Sequence, residues 1–458
     1  MNQPNTVLSQ RIIFQTWWPL AASWLLMGLE MPILSAVVAR LADPKIHLAA
    51  YGGVVFPLAL IIESPVIMLL AASTALSKDW ASYQKLNRFM QWAGGTLTAL
   101  HVLIAFTPLY DWVVVPLFGP PSEIVEPARI GLMIMTPWTW SIAYRRFHQG
   151  VLIRFGQSRA VTLGTLSRLF SLVTVLGIGY VLAKASAGTI TGIMVGTSAI
   201  AVAVITEALF VGVRVYPILK GALRQAPLLR PALAFSAFAR FYTPLVMTSL
   251  LGLLVIPLGT AAMSRMPNPL DSLAIWPVLG GLLFLMVSFG IASNEVIVSL
   301  LEKPNALAPL RRFSQRLALA STALLVVMAS TPLARLWFDT LSGLKPELAV
   351  LAAGSLWFSL VRPSLSVYQN WYQGVLIHHK KTRGITEAVV VFLVVAGGVL
   401  VQGVVWHRYE GVYVVQVAFS LGALAQAGWL WWRSQTVLRV KAAPLLFPDD
   451  DPSKNALT

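Results

Sequence analysis

Two glutamates lie near the middle of long apolar runs, where ionised side chains are rare. Glu30 and Glu63 each stand two residues before a proline, Pro32 and Pro65. A charged side chain at the centre of a bilayer costs about 2.5–3.5 kcal/mol on insertion scales unless it is paired, hydrated or protonated. Each proline also frees a backbone carbonyl one turn earlier in the helix. We therefore interpret Glu30 and Glu63 as candidate sites for a coupling cation, Na⁺ or H⁺, with a protonated structural glutamate as the alternative.

Arg362 is a cation in the middle of a later apolar run, directly before Pro363. Arginine binds carboxylate or phosphate through paired hydrogen bonds, and a buried arginine needs an anion. Two interpretations stay open: an internal ion pair with Glu207 or Glu295, or binding of an anionic substrate. Glu207, and Glu295 beside Asn294, lie nearer the ends of their runs. A salt bridge to a loop cation therefore explains these acids as well as substrate binding does.

A basic group lies one to two turns inside the end of another apolar run. Arg145, Arg146 and His148, together with Arg154, are placed to line a vestibule that gathers anions. The alternative is that these cations only mark the cytoplasmic side of the membrane.

Motifs for catalysis are missing from the sequence. The chain has no Cys, and no Gly-Lys-Ser/Thr phosphate loop. Gly177 and Gly179 lack the third glycine of a dinucleotide loop, and the adjacent His378 and His379 do not have metal-ligand spacing on a helix. We expect no enzyme activity, no cofactor and no metal site.

The composition predicts the elements that must position these residues. Of 458 residues, 57% are hydrophobic and only 11% are charged, with a mean hydropathy of +0.72. A soluble domain has about 25% charged residues, so a soluble enzyme or a nucleic-acid-binding protein is excluded. The sequence indicates an all-α polytopic membrane protein with about twelve spans. We predict these spans at 14–39, 48–76, 89–109, 128–152, 160–183, 189–213, 235–264, 272–300, 314–336, 349–377, 385–406 and 411–433.

The distribution of Lys and Arg predicts the orientation. Most of the 34 basic residues fall in loops on the side of the two termini, which indicates cytoplasmic termini in an inner membrane. Anionic lipid headgroups account for the formal charge of +16 without nucleic acid as a partner.

An internal repeat relates the two halves of the chain. At a numbering offset of 225, Arg40 aligns with Arg265, and at an offset of 224 the segment Gln149–Ile153 recurs as Gln373–Ile377. With six spans in each half, the repeat is parallel, and transporters bind cargo at such an interface. Arg40 and Arg265 then lie at the outer ends of spans one and seven. There they extend to headgroups or form a cationic pair at the pore mouth.

The repeat divides the chain into an N-terminal lobe 1–213, a basic cytoplasmic linker 214–234, a C-terminal lobe 235–440 and a polar tail 441–458. Gln149 and Gln373, which open the repeated block, either pack between helices beside a glycine or line the substrate path.

Two such lobes resemble the multidrug/oligosaccharidyl-lipid/polysaccharide flippase superfamily, which includes the MATE exporters. Within it, four segments are similar to the progressive ankylosis protein family: Trp17–Leu20, Leu48–Gly52, His101–Ala105 and Arg145–Leu152. That resemblance implies efflux of small anions such as pyrophosphate, nucleoside triphosphate or citrate.

These observations together predict a monomeric secondary transporter that alternates access by rocking its lobes, driven by an ion gradient. Its partners are a small anionic substrate, a coupling cation and membrane lipids. Glu30 and Glu63 bind the cation, and Arg362 with the basic vestibule receives the anion. The alternatives are a MATE-type exporter of organic cations, with the acids as counter-ions, and a lipid-linked flippase.

Overall fold

A bundle of twelve long helices, without a strand, makes up residues 8–186, 188–228, 232–379 and 381–442, the part of the chain that the computed structural model describes. For residues 437–442 the backbone alone is described. The helices are α1 Gln10–Val38, α2 Pro44–Leu76, α3 Trp80–Phe106, α4 Ser122–Arg154, α5 Ser158–Ala185, α6 Gly192–Lys220, α7 Phe235–Met263, α8 Pro269–Leu300, α9 Leu307–Ser330, α10 in two parts (Pro346–Ser359 and Arg362–His378), α11 Arg383–Trp406 and α12 Gly411–Ala442.

Ten of these helices are long and apolar enough to cross a membrane, and α10 is an eleventh when its two parts, bent by 43°, count as one span. Helix α4 has 33 residues, with acidic and basic side chains near its ends, and it packs between α3 and α6. We assign it as the twelfth span. The predicted all-α membrane fold with about twelve spans is confirmed.

The helix ends differ from the predicted span ends. Helix α6 continues to Lys220, past the predicted end at 213, and the short helix Ala222–Gln225 follows it. The Lys220 ammonium lies 4.5 Å from the ring centroid of Tyr216. Hydropathy falls where side chains leave the hydrocarbon, whereas backbone hydrogen bonds continue into the headgroup region. The predicted tail from residue 443 onward, and residues 229–231 of the predicted linker, lie outside the described residues.

The two halves repeat in backbone conformation as well as in sequence. Asp43 and Asn268, which match at the first repeat offset, both adopt the left-handed conformation (φ 46° and 47°). Each directly precedes a proline that begins a helix, Pro44 or Pro269. Non-glycine residues rarely adopt positive φ, and Asp and Asn tolerate it best. The parallel duplication predicted from sequence is therefore a duplication of the fold.

A π-helical turn explains why the repeat offset falls from 225 to 224. Helix α2 contains such a turn at Tyr51–Val55, whereas α8 is a continuous α-helix. A π turn accommodates one extra residue without ending the helix. After this turn, the first half has used one more residue than the second half, so the later positions match at the smaller offset.

Helices α1 and α7 are both interrupted at matching positions. The α-helical hydrogen bonding stops at Leu29 in α1 and at Leu254 in α7. Pro32 and Pro257 follow three residues later and have no N–H for the carbonyls of the preceding turn. Each helix thus consists of two segments joined at a break.

The segment of α1 and of α7 before the break packs on the opposite half of the chain. In α1, Trp17 donates from Nε1 to the carbonyl of Phe289 at 3.1 Å. In α7, Tyr242 donates to the carbonyl of Pro65. The donors Trp17 and Tyr242 match at the offset of 225, and the acceptors Pro65 and Phe289 match at the offset of 224. The two bonds are therefore repeat mates. We call this end of the bundle, where α1 begins and α12 ends, the proximal end, and the opposite end the distal end.

Toward the distal end, α1 and α2 pack tightly against α8. A Cβ at Gly281 would lie 2.8 Å from Cδ of Pro32, and a Cβ at Gly52 would lie 2.6 Å from Cδ of Pro277. Real Cβ atoms do not approach so closely, so only glycine allows the helices of the two lobes to meet here.

Gly281→Ala is expected to lower the free energy of unfolding by about 1–3 kcal/mol, the usual cost of overpacking. Thermal melting in detergent measures the change. The adjacent Gly280 is a matched control, because a Cβ there meets nothing within 4 Å. Gly280→Ala is expected to leave the melting temperature unchanged or to raise it through higher helix propensity. Equal destabilisation by both variants would contradict the close contact.

Candidate functional site

A network of buried charged side chains surrounds Glu207 of α6, inside the N-terminal lobe. Arg145 donates from Nη1 to Oε2 of Glu207 at 2.8 Å, and Gln149 donates to Oε1 at 2.9 Å. Arg168 Nη1 lies 3.5 Å from the same Oε2, and its Nη2 forms an ion pair with Glu30. The side chain of Glu207 is 0% exposed and that of Arg145 5%. The network thus ties α1, α4, α5 and α6 together where water screens little.

The break in α1 positions Glu30 in this network. Glu30 is the first residue of the helical segment after Leu29, where the positive end of the helix dipole favours a carboxylate. Gly164 of α5 brings the facing helix close, since a Cβ there would lie 3.5 Å from Cγ of Glu207. A local helix break and a small residue thus arrange the charges.

Several atoms of the network are buried without a hydrogen-bond partner. They are Oε1 of Glu30, Oε1 of Gln149, and Nε of Arg145 and of Arg168. A buried polar atom without a partner costs about 1–3 kcal/mol. Donors and acceptors of this kind in one place are suited to hold water, an ion or a ligand.

Glu63 of α2 lies beside this network without joining it. Its side chain is buried, and Oε2 has no partner. Arg146, Arg145 and Arg168 all interact electrostatically with it, but no ion pair or hydrogen bond to its carboxylate occurs within the described ranges. The Nε atom of Arg146 is also buried without a partner. Glu63 is thus a buried carboxylate without a charged partner in direct contact among the described residues.

Arg362 lies in the C-terminal lobe, at the bend of α10, and is partly buried. Its Nη1 donates to Oε1 of Gln416 at 3.2 Å, and Ser359 donates to the same oxygen at 2.8 Å. Its guanidinium carbon lies 5.8 Å from the ring centroid of Phe419. Neither Glu207 nor any other carboxylate pairs with it among the described residues. The guanidinium charge therefore has no protein anion to neutralise it.

The acids and amides considered with Arg362 do not join it. Glu295 is exposed, and no ion pair of its side chain occurs in the described part of the chain. Asn294 donates to the carbonyl of Asn370 at 3.2 Å. Gln373 is partly buried, and no described residue hydrogen-bonds its side chain. Its repeat mate Gln149, in contrast, donates a hydrogen bond to Glu207.

Within the basic group on α4, Arg145 and His148 are buried, Arg146 is partly buried and Arg154 is exposed. Arg145 and His148 are 4% and 3% exposed. His148 contacts the carbonyl of Tyr144 at 2.9 Å and the hydroxyl of Tyr83 at 3.3 Å. Arg154 donates to the carbonyl of Thr74 at the end of α2. The described contacts of Arg145, His148 and Arg154 are thus internal to the N-terminal lobe.

Arg40 and Arg265 form reciprocal bonds between the lobes at the distal end. Arg40 of the N-terminal lobe donates from Nη2 to the carbonyls of Thr340 and Leu341 at 2.7 and 3.0 Å. Arg265 of the C-terminal lobe donates to the carbonyls of Pro116, Leu117 and Phe118 at 2.8, 3.2 and 3.1 Å. We call these contacts the distal clamp. The two arginines thus bind the opposite lobe rather than extend to lipid headgroups.

The acceptor segments of the distal clamp are also repeat mates. Thr340 and Leu341 lie in the π-helical turn Leu336–Leu341, and residues 116–118 lie in the short helix that directly follows the π-helical turn Tyr110–Val114. Each is followed by a glycine with positive φ, Gly119 at 58° and Gly343 at 72°. In the first turns of α2 and α8, Lys45 forms an ion pair with Asp271 and so also joins the two lobes.

Sequence reasoning missed Arg168, the direct partner of Glu30. Its position within a predicted span is the signal that could have found it, because an arginine there requires an anion. Gln416 carried no such signal, since a single amide in an apolar helix is compatible with packing.

Comparison with known proteins shows similarity in structure rather than in sequence. No protein-family model matches the chain, and no curated protein matches it. An inward-facing multidrug resistance MATE family transporter of the MOP superfamily superposes with a TM-score of 0.67 at 15% identity, over 91% of this chain and 96% of that one. The chain has the MATE transporter fold.

Two further structures share this fold. One is a MOP superfamily transporter from Pyrococcus furiosus for which a reverse polarity of the binding pocket suggests a different function. It has a TM-score of 0.62 at 15% identity, over 94% of this chain and 96% of that chain. The other is the lipid II flippase MurJ in an inward closed conformation, with a TM-score of 0.59 at 14% identity, over 89% and 87%. The neighbours are transporters and a flippase rather than enzymes.

Proposed function

We propose that this protein is a secondary active transporter that exports a small organic or phosphorylated anion by rocking its two lobes. The observation that supports it most is the distal clamp. Repeat-related arginines hold the lobes together at one end through bonds to backbone carbonyls of the opposite lobe. Opening that end requires both sets of bonds to break, whereas each lobe can remain intact.

Different contacts close the proximal end, so the two ends can open in alternation. There the lobes are joined by the segments of α1 and α7 before Leu29 and Leu254. Rotation about these breaks releases Trp17 and Tyr242 from the opposite lobe without disturbing the distal clamp. Each end of the path can thus open while the other stays closed.

Arg362 is the proposed contact for the anionic cargo. No described carboxylate neutralises its charge, and its partner Gln416 has a buried Nε2 without an acceptor. A carboxylate or phosphate bound there would satisfy both groups. The resemblance to the progressive ankylosis family supports cargo such as pyrophosphate, nucleotide or citrate. The remaining substrate candidates, Glu207, Glu295, Asn294, Gln373 and the α4 group, stay proposals of lower rank.

Glu63 and Glu30 are the proposed coupling site. A proton or Na⁺ on Glu63 removes an uncompensated charge from the lobe interior. A proton on Glu30 breaks its ion pair with Arg168. The segment of α1 after the break then loses this contact with α5. Cation binding in the N-terminal lobe is thereby linked to the conformation of α1.

Glu63→Gln is expected to reduce gradient-driven flux of pyrophosphate or citrate in proteoliposomes at least tenfold, because glutamine binds neither a proton nor Na⁺ as a carboxylate does. Flux under an imposed H⁺ or Na⁺ gradient measures it. Glu347→Gln, an exposed acid at the start of α10, is the control and should retain parental flux. Unchanged coupling in both Glu63→Gln and Glu30→Gln would refute this assignment.

Arg362→Gln is expected to remove the stabilisation that pyrophosphate or citrate gives to the protein, because the anion then lacks its cationic partner. Thermal shift in detergent at increasing anion concentration measures the loss. Arg335→Gln, an exposed arginine near the distal end, removes the same charge without touching the site. Equal anion stabilisation in both variants would rule out Arg362 as the cargo contact.

Export of organic cations is the second candidate, supported by the MATE neighbours and by three buried glutamates in one lobe. It predicts that cationic dyes, and neither pyrophosphate nor citrate, compete for transport. A flippase, the third candidate, would transport lipid-linked substrate in the same vesicles.

We further propose an orientation with both termini cytoplasmic in an inner membrane, so that the distal end faces outward. The functional unit is a monomer of the two lobes 1–213 and 235–440, joined by the linker 214–234.

A further inference from the structure

A groove of about 330 Å³ lies at the proximal end, between α3 and the start of α7. Its apolar wall includes Phe89 and Trp92 of α3 and Phe235 of α7, and its cations are Lys85 and Arg88 of α3. Trp92 is 79% exposed and Phe235 71% exposed. Large aromatic side chains with this exposure require an apolar surrounding, which the bilayer supplies.

The depth of these residues matches a lipid leaflet. Helix α3 has 27 residues, about 40 Å, and so extends about 10 Å beyond a hydrocarbon core of about 30 Å. Lys85 and Arg88 lie in its second and third turns, at headgroup depth. Trp92 lies one turn deeper, next to the acyl chains. Indole rings favour this interfacial region of the membrane. The cations and the apolar wall are thus ordered as the phosphate and the acyl chains of a phospholipid are.

The groove also touches the segment of α7 that joins the lobes. Lys85 donates from Nζ to the carbonyl of Leu233, just before α7 begins. Phe89 contacts Phe238 and Tyr242 edge-on, with ring centroids 4.8 and 5.3 Å apart. A molecule in the groove therefore contacts both lobes in the conformation described here.

We propose that this groove binds one anionic phospholipid, with its phosphate on Lys85 and Arg88 and an acyl chain along Phe89, Trp92 and Phe235. Bound there, the lipid holds the proximal segment of α7 against the N-terminal lobe. The lipid composition of the leaflet thereby sets how easily the proximal end opens. This step is independent of the cargo and of the coupling ion.

The chain contains its own control at the repeat-related site. At an offset of 224, Phe89 corresponds to Phe313, and Arg88 to Arg312. Lys85 and Trp92 correspond instead to Pro309 and Arg316. The second site thus lacks both the outer cation and the indole. The variant R312Q/R316Q removes two exposed cations from the equivalent helix α9, Arg312 at the position of Arg88 and Arg316 at the position of Trp92.

The experiment measures the thermal midpoint of delipidated protein in detergent with added phosphatidylglycerol, phosphatidylcholine or inorganic phosphate. Phosphatidylglycerol is expected to raise the midpoint of the parent and of R312Q/R316Q by several degrees, and to raise that of K85Q/R88Q by less than half as much. R88Q alone keeps the Lys85–Leu233 bond, so loss of the lipid effect in this variant separates lipid binding from folding.

Brominated phosphatidylglycerol gives an independent readout, because bromine quenches the fluorescence of nearby tryptophans. The difference in quenching between the parent and Trp92→Phe reports the contribution of Trp92. Four results would overturn the proposal: no shift in the parent, an equal shift in K85Q/R88Q, an equal shift with phosphatidylcholine, or an equal shift with inorganic phosphate. The last would indicate a site for free anions.

Discussion

Glu207→Gln is expected to lower the free energy of unfolding by about 3–5 kcal/mol, the typical cost of leaving one partner of a buried ion pair without its counter-ion. Glutamine keeps the shape of the side chain, so the loss reports charge rather than volume. Arg145, whose Nη1 lies 2.8 Å from the Glu207 carboxylate in the parent, then stays buried without an anion. Arg168 keeps Glu30. Chemical denaturation in detergent measures the change.

The matched test is a double-mutant cycle with Arg145→Gln. Removing both charges leaves two amides able to bond each other, so the double variant should be more stable than the sum of the two single effects predicts. Glu302→Gln, an exposed acid after α8, is the surface control and should cost less than about 0.5 kcal/mol. Additive single effects would show that the pair does not act as a unit.

The sequence predicted the fold well because hydropathy and internal repetition are global signals. The apolar runs required helices, and the repeated Gln-Gly block required two similar halves. Even the change of the repeat offset by one has a structural cause in the π-helical turn Tyr51–Val55. Helix ends were less predictable, as α6 shows, because hydropathy follows the membrane and not the hydrogen-bonded backbone.

The candidate site was less predictable because duplication preserved the fold but not the charges. At the repeat offsets, Glu30 corresponds to Val255, Glu63 to Val287 and Arg168 to Phe392. The polar network of the N-terminal lobe is therefore specific to that lobe. Internal symmetry could not show which arginine meets which glutamate, since Glu30 and its partner are 138 residues apart in sequence.

Arg40 and Arg265 illustrate a second limit of sequence reasoning. The repeat identified them as a pair at the outer ends of their helices. Their acceptors are backbone carbonyls of the opposite lobe, which have no side-chain signature. Only the folded arrangement distinguishes a bond between lobes from a side chain that extends to headgroups.

R40Q/R265Q is expected to open the distal end of the protein. Hydrogen bonds from a charged donor contribute about 1.5–3 kcal/mol each. Losing both arginines therefore shifts the equilibrium between closed and open distal ends by at least 100-fold, and a single replacement shifts it less. Without cysteine in the chain, a Leu273→Cys reporter on α8 provides a single thiol. Leu273 is fully buried and faces Gly53 of the other lobe.

Labelling of this thiol by a membrane-impermeant maleimide added at the distal side should be slow in the parent and at least tenfold faster in R40Q/R265Q. R335Q/R408Q removes two exposed arginines from the segments that connect the long helices, and no bond between the lobes is described for either. This variant should label at the parental rate. R40Q/R265Q leaves Glu30 and Arg168 of the proposed coupling site in place. Faster labelling together with weaker gradient-driven flux would therefore show that the distal clamp acts in the transport cycle. Unchanged labelling in R40Q/R265Q would mean that the other contacts between the lobes, the Lys45–Asp271 ion pair and the packing around Gly52 and Gly281, suffice to hold the distal end closed.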